Sequence, residues 1–134
     1  MAKNATKKIL FIEDETALQQ AVGKVLRESG YEVLSAMDGE EGLRKVKSEK
    51  PDVVLLDIQM PKQDGLKTLE KIRKFSKRLP VYMLTAFSNP ERFKLAGKLS
   101  ASGFLVKNGD LKRQVADIAS SLRLSAKFHP GRNR

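Results

Sequence analysis

Short, wholly apolar runs alternate along the chain with stretches in which apolar residues return every three or four positions. Ile9-Leu10-Phe11-Ile12 is the first run. Leu18, Ala21, Val22, Val25 and Leu26 then follow helical spacing, and Gly30 is expected to end that helix. Residues 31–36 read as a second strand. Asp38, with Glu41 three residues on, has the form of a capping box opening a helix through Val46. Val53-Val54-Leu55-Leu56 is a strand apolar on both faces, and a polar turn from Gln59 to Gly65 follows it. Leu66, Leu69 and Ile72 mark a third helix. Pro80 precedes the strand Val81-Tyr82-Met83-Leu84. Asn89-Pro90-Glu91 supplies a cap, a first-turn proline and a dipole-favourable acid for a fourth helix, which Gly103 is expected to end. Phe104-Leu105-Val106 is the fifth strand. Asp110 can cap a last helix with the stripe Leu111, Val115, Ile118, Ala119 and Leu122.

Five β-α units whose strands are apolar on both faces predict an α/β fold, a parallel sheet covered by helices on both sides. Right-handed crossovers leave few topologies, and the flavodoxin-like doubly wound order 2-1-3-4-5 leads among them. The expected organisation is a basic N-terminal arm over residues 1–7, one domain over 8–124, and a basic C-terminal tail or linker over 125–134.

At 134 residues the chain suffices for a single core. The absence of cysteine excludes disulfides, thiolate zinc sites and a thiol nucleophile. The lone histidine, His129, lies in the polar tail, so a His-based triad or His-cluster metal site is unavailable, and any phosphohistidine must come from another protein. No apolar run approaches the ~20 residues of a membrane helix. The polar N-terminus has no apolar signal core, which gives a cytoplasmic expectation. The formal charge of +10 fits either a lysine-rich solvated surface or an acidic partner, protein or nucleic acid.

In sheets of this kind ligands bind beyond the carboxyl ends of the strands, at the switch in strand order. The residues just past each run are therefore informative. Strand one leads to Glu13-Asp14, strand three to Asp57, strand four to Thr85 and strand five to Lys107. Strands one and three are neighbours in the expected order, which brings three carboxylates together with a hydroxyl and an ammonium on the far side. Glu13-Asp14 alone could be a solvated helix start, Asp57 a turn residue, and Thr85 and Phe104 ordinary sheet residues. Together the acids repel one another, and a hard divalent cation such as Mg²⁺ relieves that repulsion. A carboxylate beside Mg²⁺ can act as a nucleophile toward phosphorus. The metal would clamp one phosphoryl oxygen, Lys107 another, and the Thr85 hydroxyl or a backbone N–H a third.

In Glu13-Asp14, Val-Val-Leu-Leu-Asp57 with Met60-Pro61 and Asp64-Gly65, Leu84-Thr85-Ala86, and Gly103-Phe104-Leu105-Val106-Lys107, the chain resembles the receiver domain of two-component response regulators, in the manner of the chemotaxis-type single-domain receivers, from about Lys8 to Leu124. The resemblance implies that Asp57 is the phosphoacceptor and that Glu13, Asp14, Asp57 and the Gln59 carbonyl ligate Mg²⁺ or Mn²⁺. It implies Thr85 and Phe104 as switch residues, Thr85 and Lys107 as phosphate contacts, and Gln59 and Phe87 as residues that tune dephosphorylation. The donor would be a sensor histidine kinase or a histidine phosphotransfer protein. The face of helix four, strand five and helix five would change shape for a downstream partner. Such a domain catalyses only its own phosphorylation and dephosphorylation.

The chain departs from the family pattern after Lys107, where Asn108-Gly109 replaces the usual proline. A trans peptide and a looser loop are expected there, which leaves the aim of Lys107 open. Lys94, Lys98, Lys112, Arg113, Arg123 and Lys127 make the output side basic and point to an acidic partner. Three alternatives stand beside the phosphoacceptor: a receiver-fold binding module that works without phosphate, a nucleic-acid-associated adaptor resting on charge alone, and a small phosphatase with an aspartyl intermediate, for which no general acid is evident at Gln59. The phosphoacceptor reading requires that Glu13 or Asp14 lie close to Asp57 and that Asp57 not be walled off from solvent.

Overall fold

A computed structural model describes residues 7–60, 64–86, 90–107 and 110–128, with the side chains of residues 119 and 121–128 excepted. The order of elements is β1 (Lys8–Ile12), α1 (Thr16–Glu28), β2 (Glu32–Ala36), α2 (Gly39–Glu49), β3 (Val53–Asp57), α3 (Gly65–Phe75), β4 (Val81–Thr85), α4 (Pro90–Lys98), β5 (Gly103–Val106) and α5 (Leu111–Phe128). The strands form one parallel sheet in the order β2-β1-β3-β4-β5, as the apolar pattern predicts. Among the described residues no helix is long and apolar enough to cross a membrane.

The two-sided strands divide their side chains by parity. Leu10, Ile12, Val54, Leu56, Val81 and Met83 face one side, where they pack with Val46 of α2, Leu66, Leu69 and Ile72 of α3, and Ala96 of α4. Ile9, Phe11, Val53, Leu55, Leu84 and Leu105 face the other, against Val22 and Leu26 of α1 and Val115 of α5. β3 is buried along its whole length, whereas β2 and β5 are edges and partly exposed. The centre of the sheet is thus dry, and whatever stands at the end of β3 inherits that burial.

Local chemistry sets the helix starts. The Asp38 side chain accepts from the Glu41 N–H at 2.9 Å, and Glu41 reaches back to the Met37 N–H at 2.8 Å, one residue before the donor that a capping box uses. The Met37 N–H foremost, and then Lys45, hold the Glu41 carboxyl below its usual range. Asp64 caps α3 through the Leu66 N–H at 2.9 Å, and Asp110 caps α5 through the Arg113 N–H at 3.2 Å. Asn89 lies outside the described residues.

Several boundaries differ from the sequence expectation. α2 runs to Glu49 and ends in a left-handed Lys50 (φ 50°). α4 ends at Lys98, followed by a left-handed Ser100 (φ 66°), so Gly103 does not stop the helix. Gly103 opens β5 instead, where a Cβ would stand 2.9 Å from the Tyr82 ring: the position is a close approach between strands and not a helix terminus. Asp57 and Thr85 are the last residues of their strands, where the sequence puts them. α5 continues to Phe128, past the expected boundary at residue 124.

Candidate functional site

The sheet register sets the ends of β1, β3, β4 and β5 side by side. Ile12 pairs with Leu56, Asp57 with Leu84 and Thr85 with Val106. Glu13 and Asp14 follow Ile12, and their carboxylates meet that of Asp57, with one oxygen of each residue within 4.8 Å of the others. Glu13 and Asp57 are buried, and Asp14 is half-buried.

Two of the three carboxylates are held by a neighbour in sequence. Asp57 Oδ1 accepts from the Gln59 N–H at 3.0 Å, and Glu13 Oε2 accepts from the Glu15 N–H at 3.1 Å. From the far side of the sheet, Lys107 places Nζ 2.8 Å from Asp57 Oδ2 and 3.5 Å from Glu13 Oε1. Lys107 is the residue whose aim the missing proline left open. It is directed by its own N–H, which donates to the Thr85 carbonyl at 2.8 Å. Just before it, the Gln114 side chain clasps the Val106 backbone, accepting from its N–H at 2.9 Å and donating to its carbonyl at 3.1 Å. Asn108 and Phe87 lie outside the described residues.

Charge in this cluster is unbalanced. Burial, and then the neighbouring Asp57 carboxylate, push the Glu13 carboxyl up from 4.5 to about 8. Glu13 Oε1 is fully buried and accepts no hydrogen bond. Burial would lower the Lys107 ammonium, but its contacts with Asp57 and Glu13 outweigh that and raise it above the usual lysine value. The donor set, three hard carboxylates with one buried oxygen lacking a donor, fits a small divalent cation with oxygen ligands.

Two expectations need correction or extension. Asp57 is not open to solvent: only 2% of it is exposed, because it ends the central strand and Lys107 lies over its outer oxygen. Lys107 is 27% exposed, so what covers Asp57 is an ammonium side chain and not packed backbone. Phe104 is half-buried and lies against Phe93 of α4, ring centroids 4.3 Å apart, a partner the sequence did not name. Thr85 is nearly buried at the end of β4, beside the end of β5.

Three further residues support the site: Gln19 and Arg92, which no motif marks, and Gly65 of the Asp64-Gly65 turn. Gln19, in α1, donates from Nε2 to the carbonyls of Glu13 at 2.7 Å and Ala36 at 2.9 Å, joining the ends of β1 and β2 behind the acids. A glutamine on the inward side of an amphipathic helix is the signal that could have marked it. Gly65 lies directly on the backbone of β3, where a Cβ would fall 2.1 Å from the Asp57 carbonyl oxygen. Arg92 of α4 forms an ion pair with Asp64 and donates to the Ile58 carbonyl at 3.3 Å.

Residues 9–119 match the family described as the response regulator receiver domain. Over 122 residues the chain is 38% identical to "Chemotaxis protein CheY" of Treponema pallidum (strain Nichols), covering 89% of this chain and 85% of that protein. Over 120 residues it is 37% identical to the "Alkaline phosphatase synthesis transcriptional regulatory protein PhoP" of Bacillus subtilis (strain 168), again 89% of this chain but only 50% of that protein. The fold is similar to solved structures of chemotaxis protein CheY4 of Vibrio cholerae, with TM-score 0.78 and 31% identity over 90% of this chain and 98% of that one. It is also similar to the CheY-like receiver domain protein of Methanospirillum hungatei JF-1, with TM-score 0.83 and 27% identity over 92% and 99%. The chain belongs to the receiver-domain family of two-component response regulators, with the fold of its chemotaxis-type members.

Proposed function

We propose that this receiver takes a phosphoryl group onto Asp57 from the phosphohistidine of a sensor histidine kinase or phosphotransfer protein in the cytoplasm. The carrying observation is the meeting of Glu13, Asp14 and Asp57 at one sheet edge with the Lys107 ammonium among them. An Asp57 oxygen attacks phosphorus, the N–P bond of the donor breaks, and the imidazole leaves with a proton. Glu13, Asp14, Asp57 and the Gln59 carbonyl would hold Mg²⁺ or Mn²⁺, which supplies charge neutralisation of the phosphoryl oxygens. Lys107 releases Oδ2 of Asp57 and pairs with the transferred group, and the Thr85 hydroxyl donates to it. Exposed Gln59, with Phe87, tunes the approach of hydrolytic water.

The switch follows from the added charge. A dianionic group pulls a hydroxyl and an ammonium toward it, and the Phe104 ring re-packs against α4. The α4-β5-α5 face then changes shape for a downstream partner. Lys94, Lys98, Lys112 and Arg113 are exposed on it, which suits an acidic protein. Turnover is limited to the domain's own phosphorylation and dephosphorylation.

One observation favours a second reading, a receiver fold that binds partners without phosphate: Asp57 is 2% exposed and already paired. Incubation with a small phosphodonor, with and without Mg²⁺, followed by intact mass and peptide mapping, separates the two. A Mg²⁺-dependent adduct on Asp57 is expected. No adduct, or one elsewhere, overturns the phosphoacceptor reading.

A further inference from the structure

α4 has a thin apolar hold. Of its nine residues only Ala96 is fully buried, Phe93 is half-buried, and Leu95 is turned to solvent. Burying one methyl-sized side chain contributes little, so polar anchors carry proportionately more of the helix's placement. Two arginines supply them, one at each end.

At the C-terminal end, Arg73 of α3 donates from Nη2 and Nε to the Ser100 carbonyl at 2.8 and 3.1 Å, and from Nη1 to the Leu79 carbonyl at 2.8 Å. This clasp joins α4's exit to the loop between α3 and β4, remote from the acids. At the N-terminal end, Arg92 reaches the opposite way. One nitrogen, Nη2, meets both the carboxylate of Asp64 and the carbonyl of Ile58. Ile58 directly follows Asp57, and Asp64 is the residue that caps α3 and precedes Gly65, itself pressed on the Asp57 backbone. Burial would raise the Asp64 carboxyl, but the Arg92 guanidinium and the Leu66 N–H bring it below its usual range, so it stays an anion for the pair.

We propose that Arg92 is a positioning residue that couples Asp57 to α4, an inference that rests on Asp57 being the phosphoacceptor. A group added to Asp57 must be accommodated by residues 58–60, and any shift of the Ile58 carbonyl is felt at Arg92. Weakening that contact frees the first turn of α4, while Arg73 keeps the far end fixed, so the helix pivots about its C-terminal end. The face carrying Lys94, Leu95 and Lys98 turns with it.

The test is amide hydrogen exchange on the full chain, with beryllium fluoride plus Mg²⁺ as a phosphoryl stand-in and ¹⁹F resonances reporting its occupancy. In the wild type, exchange of residues 94–97, whose amides bond back to the first turn, is expected to rise several-fold on adding the stand-in. In R92Q it should already be several-fold faster at rest and change less than twofold on addition, with β1 and β3 amides unaltered as the control for folding. R92K, which keeps a cationic nitrogen for the same two oxygens, should restore part of the response. R73Q should loosen residues 99–101 and leave the response intact. The proposal is overturned if R92Q matches the wild type at rest, if it keeps a response of wild-type size, or if R92K behaves as R92Q. Absence of ¹⁹F occupancy in the wild type would instead count against the phosphoacceptor reading, and the resting comparison would still decide whether Arg92 pins α4.

Discussion

Lys107 Nζ lies 2.8 Å from Oδ2 of Asp57, so the group that would carry the phosphoryl is already neutralised by the cation that would later bind it. The same ammonium is 3.5 Å from Glu13 and competes with any divalent ion for these carboxylates. Lys107→Ala should therefore have opposite effects on two measurements. Mg²⁺ binding should tighten several-fold, because a like charge has left the site. Transfer from a small phosphodonor should slow on the order of 10²-fold, the usual cost of losing one charge-stabilising donor. Calorimetry and intact-mass kinetics read the two quantities, and a variant that moves both in the same direction contradicts the assigned role.

Ion binding should depend on pH through Glu13. Its carboxyl is raised to about 8, mainly by burial, so the metal-free folded protein holds a proton there that the unfolded chain loses above 4.5. The resulting stability is fully present below 4.5 and is lost as pH rises through 8. Ligation requires the anion and must release that proton, so Mg²⁺ affinity should fall about tenfold from pH 7 to pH 6. Titrations in buffers of different ionisation enthalpy report the released proton, and Glu13→Gln should abolish it. An affinity that is flat from pH 6 to 8 would contradict this.

Gly65 is expected to tolerate no side chain. A Cβ there falls 2.1 Å from the Asp57 carbonyl and 2.8 Å from the Ile58 backbone, neither of which is a flexible side-chain end. Gly65→Ala should cost about 1–3 kcal/mol, read from the urea midpoint, and should weaken Mg²⁺ binding because the displaced strand end carries Asp57. A variant of wild-type stability would mean that the close approach relaxes freely.

Gln19 tests the support behind the acids. Its amide ties the carbonyls of Glu13 and Ala36 from the α1 side, and Gln19→Leu removes those bonds while keeping an inward side chain of similar size. Mg²⁺ affinity should drop about tenfold with the fold retained, as for other residues that orient metal ligands. Unchanged affinity would reduce Gln19 to a helix-packing role.

The fold was largely legible because each part of it is written in local chemistry. Val53-Val54-Leu55-Leu56 has no polar face to offer water, which forces a central strand, and five such units joined by amphipathic stretches leave few arrangements. Asp57 was legible for the same reason, as a carboxylate placed directly after that apolar run. Gly103 was misread because a glycine after a helical stretch usually marks a terminus, whereas this one accommodates the Tyr82 ring of the neighbouring strand. The Arg92–Asp64 pair and the Gln114 clasp on Val106 were not legible at all, because their partners lie far along the chain or present only backbone atoms that every residue has.

Residue order alone therefore specified the alternation of strands and helices, the sheet order and the types of chemical group gathered at its edge, since these follow from periodicity, handedness and the identity of residues at strand ends. Three-dimensional packing set what no pattern encodes: the burial of Asp57, the reach of Lys107 across the end of β4 to cover it, and the arginine contacts that seat α4. Distance and solvent access arise from elements meeting in space, and those meetings, not the residue type, raise the Glu13 carboxyl above its usual range.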